Sequence, residues 1–479
     1  MEVPVAAPER GGDLIGALPD GVLEDIIGFL PAQDAVRTCV LARRWRHLWK
    51  SAKALHVVGG DGKFRESVKE LREFVDYLLL SRGGAPLDTF ELRFGNFGDF
   101  NFLGFSDEDL PSLKIWFWYV VTRKARVLRL RLHNDFEGFH ALPELGGLPM
   151  ASKHLTRLEL HGVAVYRSFP DFSSCPALQH LEFNKCEFSL VKKISSDSLK
   201  YLSITESICG FYDSFRTHIC APNLVSLRLD KVYGCTPVLE SMPSLVEAFV
   251  RIPENCLDQC GQWHANYWDC DCKSCDHHDN SVDGHDCCVL LKGLSEAKKL
   301  ALFSCPVMYI FKRDLRCCPM FSKLKSLLLN KYWSEPDDLR ALACILEHSP
   351  VLEKLTLQLF LEVPTNVEEM KGSPDPAEVS AAISECLQIV KVKCEVFDEK
   401  VLNVLKFLRK LGIRLYDYHN KTVRLMFLSR VFVVEIGHMP LLVNSCYITA
   451  KHLEIYDIFK SVQSNLIILN SHVLVQMIS

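Results

Sequence analysis

One frame recurs along the chain and limits its folding options more than any other feature: an apolar residue, two of any kind, an apolar residue, one of any kind, then a third apolar residue. It is written as Leu155/Leu158/Leu160, Leu178/Leu181/Phe183, Leu199/Leu202/Ile204, Leu224/Leu227/Leu229 and Leu245/Ala248/Val250. It resumes as Ala297/Leu300/Leu302, Leu324/Leu327/Leu329, Leu352/Leu355/Leu357 and Leu387/Val390/Val392, with degenerate earlier copies at Leu87/Phe90/Leu92 and Ala125/Leu128/Leu130. The last two apolar positions alternate as in a short strand with one buried face. The first four steps from Leu155 are 23, 21, 25 and 21 residues, and later steps lengthen to 27, 28 and 35. One triplet fits any α/β core, but a succession at related spacing points to internal repetition.

A proline stands two residues before the first leucine in four copies, at Pro176, Pro222, Pro243 and Pro350. Such a proline suits the corner of a repeating coil, because its fixed φ pre-sets a turn. Cys186 and Cys305 occupy a position where leucine-rich repeats often carry Asn or Cys; Val163, Ser207, Val232 and Phe360 depart from it. The expected fold class is α/β: an irregular leucine-rich-repeat solenoid over 85–412, behind a small N-terminal helical module. Such an array offers a long surface and no enclosed cavity, which suits protein recognition.

The N-terminal module spans 14–55, after a flexible leader at 1–13. Leu18-Pro19-Asp20-Gly21-Val22-Leu23-Glu24-Asp25-Ile26-Ile27-Gly28-Phe29-Leu30-Pro31 reads as a helix with Pro19 in its first turn and Pro31 at its end. Val22, Leu23, Ile26, Ile27 and Leu30 follow helical spacing. Asp34 is placed to cap a second helix carrying Ala35, Val36 and Cys39. A basic-aromatic third segment follows, Leu41-Ala42-Arg43-Arg44-Trp45-Arg46-His47-Leu48-Trp49. Three short helices bury little apolar surface alone, so some of it must face another domain or protein.

The string LPDGVLEDIIGFLPAQDAVRTCVLARRWRHLW resembles the F-box of plant F-box proteins nearly end to end, and the repeat region resembles that of plant F-box/leucine-rich-repeat (FBD-like) proteins. Cys386–Cys394 followed by Phe407 and Leu408 is similar to the strand-helix ending of that family. The resemblance implies a three-helix F-box that binds a Skp-type adaptor and through it a cullin, with contacts at Leu18, Pro19, Leu23, Ile26, Val40, Leu41 and Trp45. Sequence does not separate those contacts from the module's own core. Arg43, Arg44 and Arg46 read either as a solvated face or as phosphate contacts, and the net charge of −4 argues against the second.

The rest of the chain narrows the function. There is no basic n-region with an apolar stretch behind it, so no secretory signal is expected. The stretch 425–443 carries Arg430, Glu435 and His438 and makes a poor membrane span. A cytoplasmic or nuclear protein is expected, its 20 cysteines mostly free thiols, small core residues or metal ligands. Nucleophile elbow, phosphate loop and His-Glu-x-x-His patterns are missing, so the expectation is a non-enzymatic protein with no cofactor, no nucleic-acid partner and no membrane partner.

The insert 256–288 is dense in Cys and His, and Cys270, Cys272, Cys275 and His277 are its candidate zinc ligands. Its alternative reading is a variable polar loop that packs on nothing. After Gly412 the frame stops. The tail 413–479 reads as an atypical extension, or as a divergent cap packed on the last coil. Two functions stay open: substrate recognition for a Skp-cullin-F-box type ubiquitin ligase acting on an unknown protein target, or a protein-binding regulator outside ubiquitin transfer, with the insert as a metal site.

Overall fold

The computed structural model describes residues 15–59, 68–94, 110–132, 142–145, 150–167, 169–209, 216–254, 256–258, 288–305, 309–334, 339–359, 385–394, 399–410, 422–426 and 431–436. They fall in two compact units. One holds the described residues up to Leu245 and from Arg251 to Asp258; the other holds Val246 to Val250 and those from Cys288 onward.

In the first unit, helix α1 (Asp20–Gly28) starts directly after Pro19. Pro31 does more than end it: it opens α2 (Ala32–Arg37), and Asp34 lies inside that helix, paired with Arg37 at 3.2 Å. The expected cap at Asp34 is thus replaced by proline, whose missing N–H costs nothing at a helix start. The third segment is not one helix. It is a pair of 3-10 turns, Thr38–Val40 and Arg43–Arg46, ahead of a single α-turn α3 (Leu48–Ser51).

Strand β1 (Ala54–Gly59) follows α3 after two residues and begins a parallel ladder. The ladder continues through β2 (Thr89–Phe94), β3 (Val127–Leu132) and β4 (Arg157–His161). Helix α4 (Val68–Ser81) lies between β1 and β2 in sequence, and α5 (Leu110–Thr122) between β2 and β3. From β4 the returns shorten to strands: β5 (Ala164–Tyr166), β7 (Glu187–Ser189), β10 (Ile208–Cys209) and β13 (Tyr233–Gly234) pair with one another, and β8 (Lys193–Ser195), β11 (His218–Cys220) and β14 (Val238–Leu239) form a third sheet. The main ladder meanwhile adds β6 (His180–Asn184), β9 (Tyr201–Thr205) and β12 (Ser226–Asp230). All its pairings are parallel and in register, so that Leu55, Phe90, Leu128, Leu158, Leu181, Leu202 and Leu227 stand in one row. A one-residue slip would turn that row to solvent.

In the second unit, β15 (Glu247–Arg251), β16 (Lys299–Phe303), β17 (Ser326–Asn330), β18 (Lys354–Gln358) and β19 (Ile389–Cys394) repeat the arrangement, with Leu300, Leu327, Leu355 and Val390 aligned. Helices Tyr309–Leu315 and Leu339–Glu347 return the chain between strands, and Glu399–Lys410 follows β19. That last pair is the strand-helix ending expected from the sequence. In the tail, β21 (Val431–Ile436) pairs in parallel with β19, and β20 (Thr422–Met426) pairs antiparallel with β21. Residues 437–479 lie outside the described residues.

Every frame read from sequence lands on a ladder strand, its first leucine in the turn before it and all three positions buried. The four prolines sit second in turns closed by Leu178 N–H to Cys175 O (3.0 Å), Leu224 to Ala221 (3.1 Å), Leu245 to Met242 (3.1 Å) and Leu352 to Ser349 (3.2 Å). Proline is favoured at that turn position. The polar step after the strand is wider than the Asn/Cys pattern. Cys186 bonds the Leu160 carbonyl at 3.3 Å, Ser207 Oγ accepts the Cys186 N–H at 3.1 Å, and Asn330 bonds both the N–H and the C=O of Ser304 at 3.1 and 2.7 Å. Described cysteines are mainly free, as expected; Cys317 is an exception and is disulfide-bonded.

Candidate functional site: an apolar face on the N-terminal module

Helix α1 is apolar on two sides. Leu23 and Ile27 point inward and have no exposed surface, and Trp49 and Leu48 of α3 are buried with them. Pro19, Val22, Ile26 and Phe29 follow the i, i+3, i+4 course of a second stripe, and this one is exposed. Phe29, just past the helix end, is 83% exposed. The adjoining 3-10 turn and the residue after it present Val40 and Leu41, 82% and 67% exposed. Isolated exposed leucines need no explanation, but a stripe of large apolar side chains on so small a module marks a surface made to be covered.

The structure therefore sorts the seven candidates. Pro19, Ile26, Val40 and Leu41 are exposed, Leu18 and Trp45 are half-buried, and Leu23 is core. Leu23 is withdrawn from the surface set, because its side chain fills the space between α1 and its neighbours. Phe29, Val22 and Ile15 join the exposed set. Their signal was present in the sequence as an excess of apolar residues around one helix, more than a single buried stripe of an amphipathic helix requires.

The basic run serves the module's own architecture at one position. Arg44 donates to the Leu18 carbonyl at 2.5 Å, to that of Gly16, and to the Asp20 carboxylate at 2.7 Å. It ties the segment entering α1 to the second 3-10 turn and holds Pro19 in place. A further arginine joins this module to the ladder. Arg82, buried at the end of α4, donates to the carbonyls of Trp49 (3.1 Å), Ala52 (2.7 Å) and Pro86 (3.1 Å). Burial lowers its pKa to about 10, still well above neutral, so it remains a cation that gathers the exposed carbonyl end of α3. Gln33 Nε2 adds a bond to the Val58 carbonyl of β1 at 2.9 Å.

The outward side chains of the ladder form a second candidate surface. His56, Glu91, Arg129, Glu159, Glu182, Ser203 and Arg228 stand in one row, and Arg93, Arg131, His161, Asn184, Thr205 and Asp230 in the next. Glu159 accepts from Arg129 (3.0 Å), Arg131 (2.9 Å) and Arg157 (2.5 Å). Burial opposes its ionisation, but the three guanidinium groups outweigh this and hold its carboxyl below the usual glutamate value. Glu91 is lowered likewise, first by its bond to His56 at 3.2 Å, then by Arg131 and Arg129 against the cost of burial. A cavity of about 340 Å³ opens here, lined by Arg93, Arg131, Glu159, His161, Glu182 and Asn184. His180 stacks on Tyr201 beside it, ring centroids 4.3 Å apart. This pre-ordered polar surface carries both charge signs.

Cys270, Cys272, Cys275 and His277 lie outside the described residues. The insert's two ends are anchored. Asp258 receives Arg216 Nη2 at 2.5 Å and the Thr236 N–H at 2.7 Å, and Cys256 is buried. At the other end, Asp314 accepts the N–H groups of Val289 (2.8 Å), Leu290 (2.6 Å) and Leu291 (2.8 Å). Among the described residues, one group of three has metal-ligand chemistry: Cys318, Cys344 and His348. The Cys318 thiol donates to Cys344 and draws that thiol below the usual cysteine value, with His348 adding to the effect against the cost of burial.

With this geometry in view, comparison with known proteins gives its class. Residues 15–56 match the F-box domain family. The chain is 25% identical to an F-box/FBD/LRR-repeat protein of Arabidopsis thaliana over 92% of its own length and 97% of that protein's. It is 24% identical to a second such protein of the same plant, over 90% of this chain and 96% of the other. A meiotic F-box protein of Oryza sativa subsp. japonica is 27% identical over 72% of this chain and 71% of its own. The chain thus carries an F-box domain at residues 15–56. Over most of its length it is a relative of the plant F-box/FBD/LRR-repeat proteins. Among the described residues, no helix is long and apolar enough to cross a membrane.

Proposed function

We propose that this chain is the substrate-recognition subunit of a Skp-cullin-F-box type ubiquitin ligase. The observation that carries the reading is the exposed second stripe of α1 with Phe29, Val40 and Leu41. The proposed occupant of that face is a Skp-type adaptor, which links the chain to a cullin. The in-register ladder is read as an irregular leucine-rich-repeat solenoid, whose outward polar face with its cavity beside Glu159 and His161 receives a protein target. In this role the chain carries no chemistry of its own. It supplies proximity and orientation to the enzyme that transfers ubiquitin. It works in the cytoplasm or nucleus, without nucleic acid or membrane as partner.

The test is co-purification of the tagged full chain from plant cells. Adaptor and cullin are expected in the eluate of the wild-type chain and lost with Leu41→Asp. An eluate without adaptor, from a chain that melts cooperatively, would sink the proposal.

A further inference from the structure

We infer that Cys318, Cys344 and His348 form a zinc site that pins two return segments of the second unit together. The three side chains come from two places. Cys318 lies just beyond the helix Tyr309–Leu315, while Cys344 and His348 stand four residues apart at the end of the helix Leu339–Glu347. Residues at that separation share a helix face, one turn apart. Their ligand atoms, two sulfurs and one imidazole nitrogen, all lie within 4.8 Å of one another. Cys344 Sγ is 3.9 Å from His348 Nδ1. In a tetrahedral site with Zn–S of about 2.3 Å, neighbouring ligand atoms are roughly 3.5 to 4 Å apart, so small side-chain rotations close the cluster on one ion.

The chemistry of the donors selects the metal. Two thiols and an imidazole are a soft, nitrogen-sulfur set that suits zinc and not calcium or magnesium. Binding releases two thiol protons to solvent and yields a neutral unit of Zn²⁺, two thiolates and one neutral imidazole. All three residues are half-buried, so an ion can enter, and water can take the fourth position. His348 Nδ1 lies 2.9 Å from the Cys344 carbonyl oxygen and holds the ring proton there, so binding zinc through Nδ1 releases this bond and moves the proton to Nε2. Cys344 Sγ lies 3.8 Å from the carbonyl of Leu315, which sets the first helix end against the second. Ile345, Leu342 and Leu315 of the same two helices are buried. This site is separate in sequence from the Cys270–Cys275 motif.

The experiment loads the purified full chain with zinc, desalts it, and measures retained metal by atomic emission. Cys318→Ser, Cys344→Ser and His348→Gln are compared with a variant carrying Cys270→Ser and Cys272→Ser. The expected result is the loss of one zinc per chain in each of the three site variants, and none of that loss in the insert variant. Chelator should lower the melting temperature of the wild-type chain by several degrees and leave His348→Gln, which keeps size and polarity, unmoved. Cobalt(II) added to the wild-type chain should give thiolate charge-transfer absorption and tetrahedral d–d bands. Equal zinc in wild type and His348→Gln overturns the inference. So do a wild-type chain that retains no metal, a loss confined to the insert variant, and an octahedral cobalt spectrum. Circular dichroism of each variant identifies any that fails to fold, and the cobalt spectrum of the chain carrying Cys270→Ser and Cys272→Ser decides the matter without the three site variants.

Discussion

The sharpest test of the adaptor face separates binding from folding at Val40 and Leu41. Both are largely exposed, so truncation to alanine removes little from the folded chain. A double Val40→Ala, Leu41→Ala variant should stay within about 0.5 kcal/mol of wild-type stability, as surface substitutions do. Binding is another matter. Full burial of an aliphatic side chain gives about 1.5–3 kcal/mol. With the two residues 82% and 67% exposed and free to be covered, and the Cβ atoms retained, the pair should contribute roughly 2–3 kcal/mol, or about a 30- to 140-fold change in Kd. Isothermal calorimetry of the full chain with a Skp-type adaptor reads the affinity, and a thermal melt reads the fold. Leu23→Ala should behave in the opposite way. Its side chain is core, so the variant should lose about 2–5 kcal/mol of stability. Unchanged affinity in the double variant, with the melt also unchanged, would refute the assignment of this face to the adaptor.

Three further outcomes follow from the fold. Gly162 has φ +69°, and a Cβ there would lie 2.0 Å from the Leu132 carbonyl oxygen. Gly162→Ala should cost about 3 kcal/mol or more in urea unfolding, the positive φ alone accounting for about 1–2; a wild-type midpoint would show that the turn can move. Asp258→Asn leaves the half-buried Arg216 without its carboxylate and should cost about 3 kcal/mol, read as a lower melting temperature. Glu159 ionises more readily folded than unfolded, so its contribution is full above the ordinary glutamate pKa and fades as pH falls through the lower folded value. Glu159→Gln should therefore be less stable than wild type at pH 7, with the gap closing in urea melts below the ordinary glutamate pKa; a gap independent of pH would contradict the ion network.

The ladder was legible because it repeats one physical demand. Each strand must bury its second and third frame positions against the next coil, and no polar residue does this cheaply. A copy was nonetheless missed. Ala52, Leu55 and Val57 carry the frame in β1, but Ala52 still belongs to the end of the F-box and the leucine is replaced by alanine there. The short return strands β5, β7, β10 and β13 left no signal, being two or three residues long. The turns between ladder and return use Lys185, Glu206 and Lys231 at positive φ, where the eye looks for glycine. The exposed apolar face proposed for the adaptor was legible as an excess of apolar residues and not residue by residue. Leu23 and Val22 are equally apolar neighbours, and only the packing of α3 against α1 shows which one is covered. Cys344 and His348 had the spacing of helical ligands, but Cys318 joins them across 26 residues that no local pattern spans.

The missed copy at β1 changes how the two proposed surfaces are related. Had the F-box been followed by a free linker, an adaptor bound at Leu41 and a target bound on the ladder would sample many relative positions. Instead α3 ends at Ser51 and β1 starts at Ala54, the first rung of the same sheet whose later rungs carry Glu91, Arg131 and Glu159. Arg82 closes the junction by binding the carbonyls of Trp49, Ala52 and Pro86, one from each side and one from between. Gln33 adds a bond from α2 to β1. A receptor that transfers nothing itself contributes through geometry, so a stiff junction is what the proposed role requires. Arg82→Met keeps the unbranched apolar stem of the side chain and removes its five donors. Three carbonyls lose their partner, so the variant should lose roughly 2–4 kcal/mol of stability. Below its own melting temperature it should still bind adaptor, because the exposed face of α1 does not include Arg82, yet ubiquitin transfer to a bound target should fall. Equal transfer by wild type and variant, at equal adaptor occupancy, would show that the rigidity of this junction is not used.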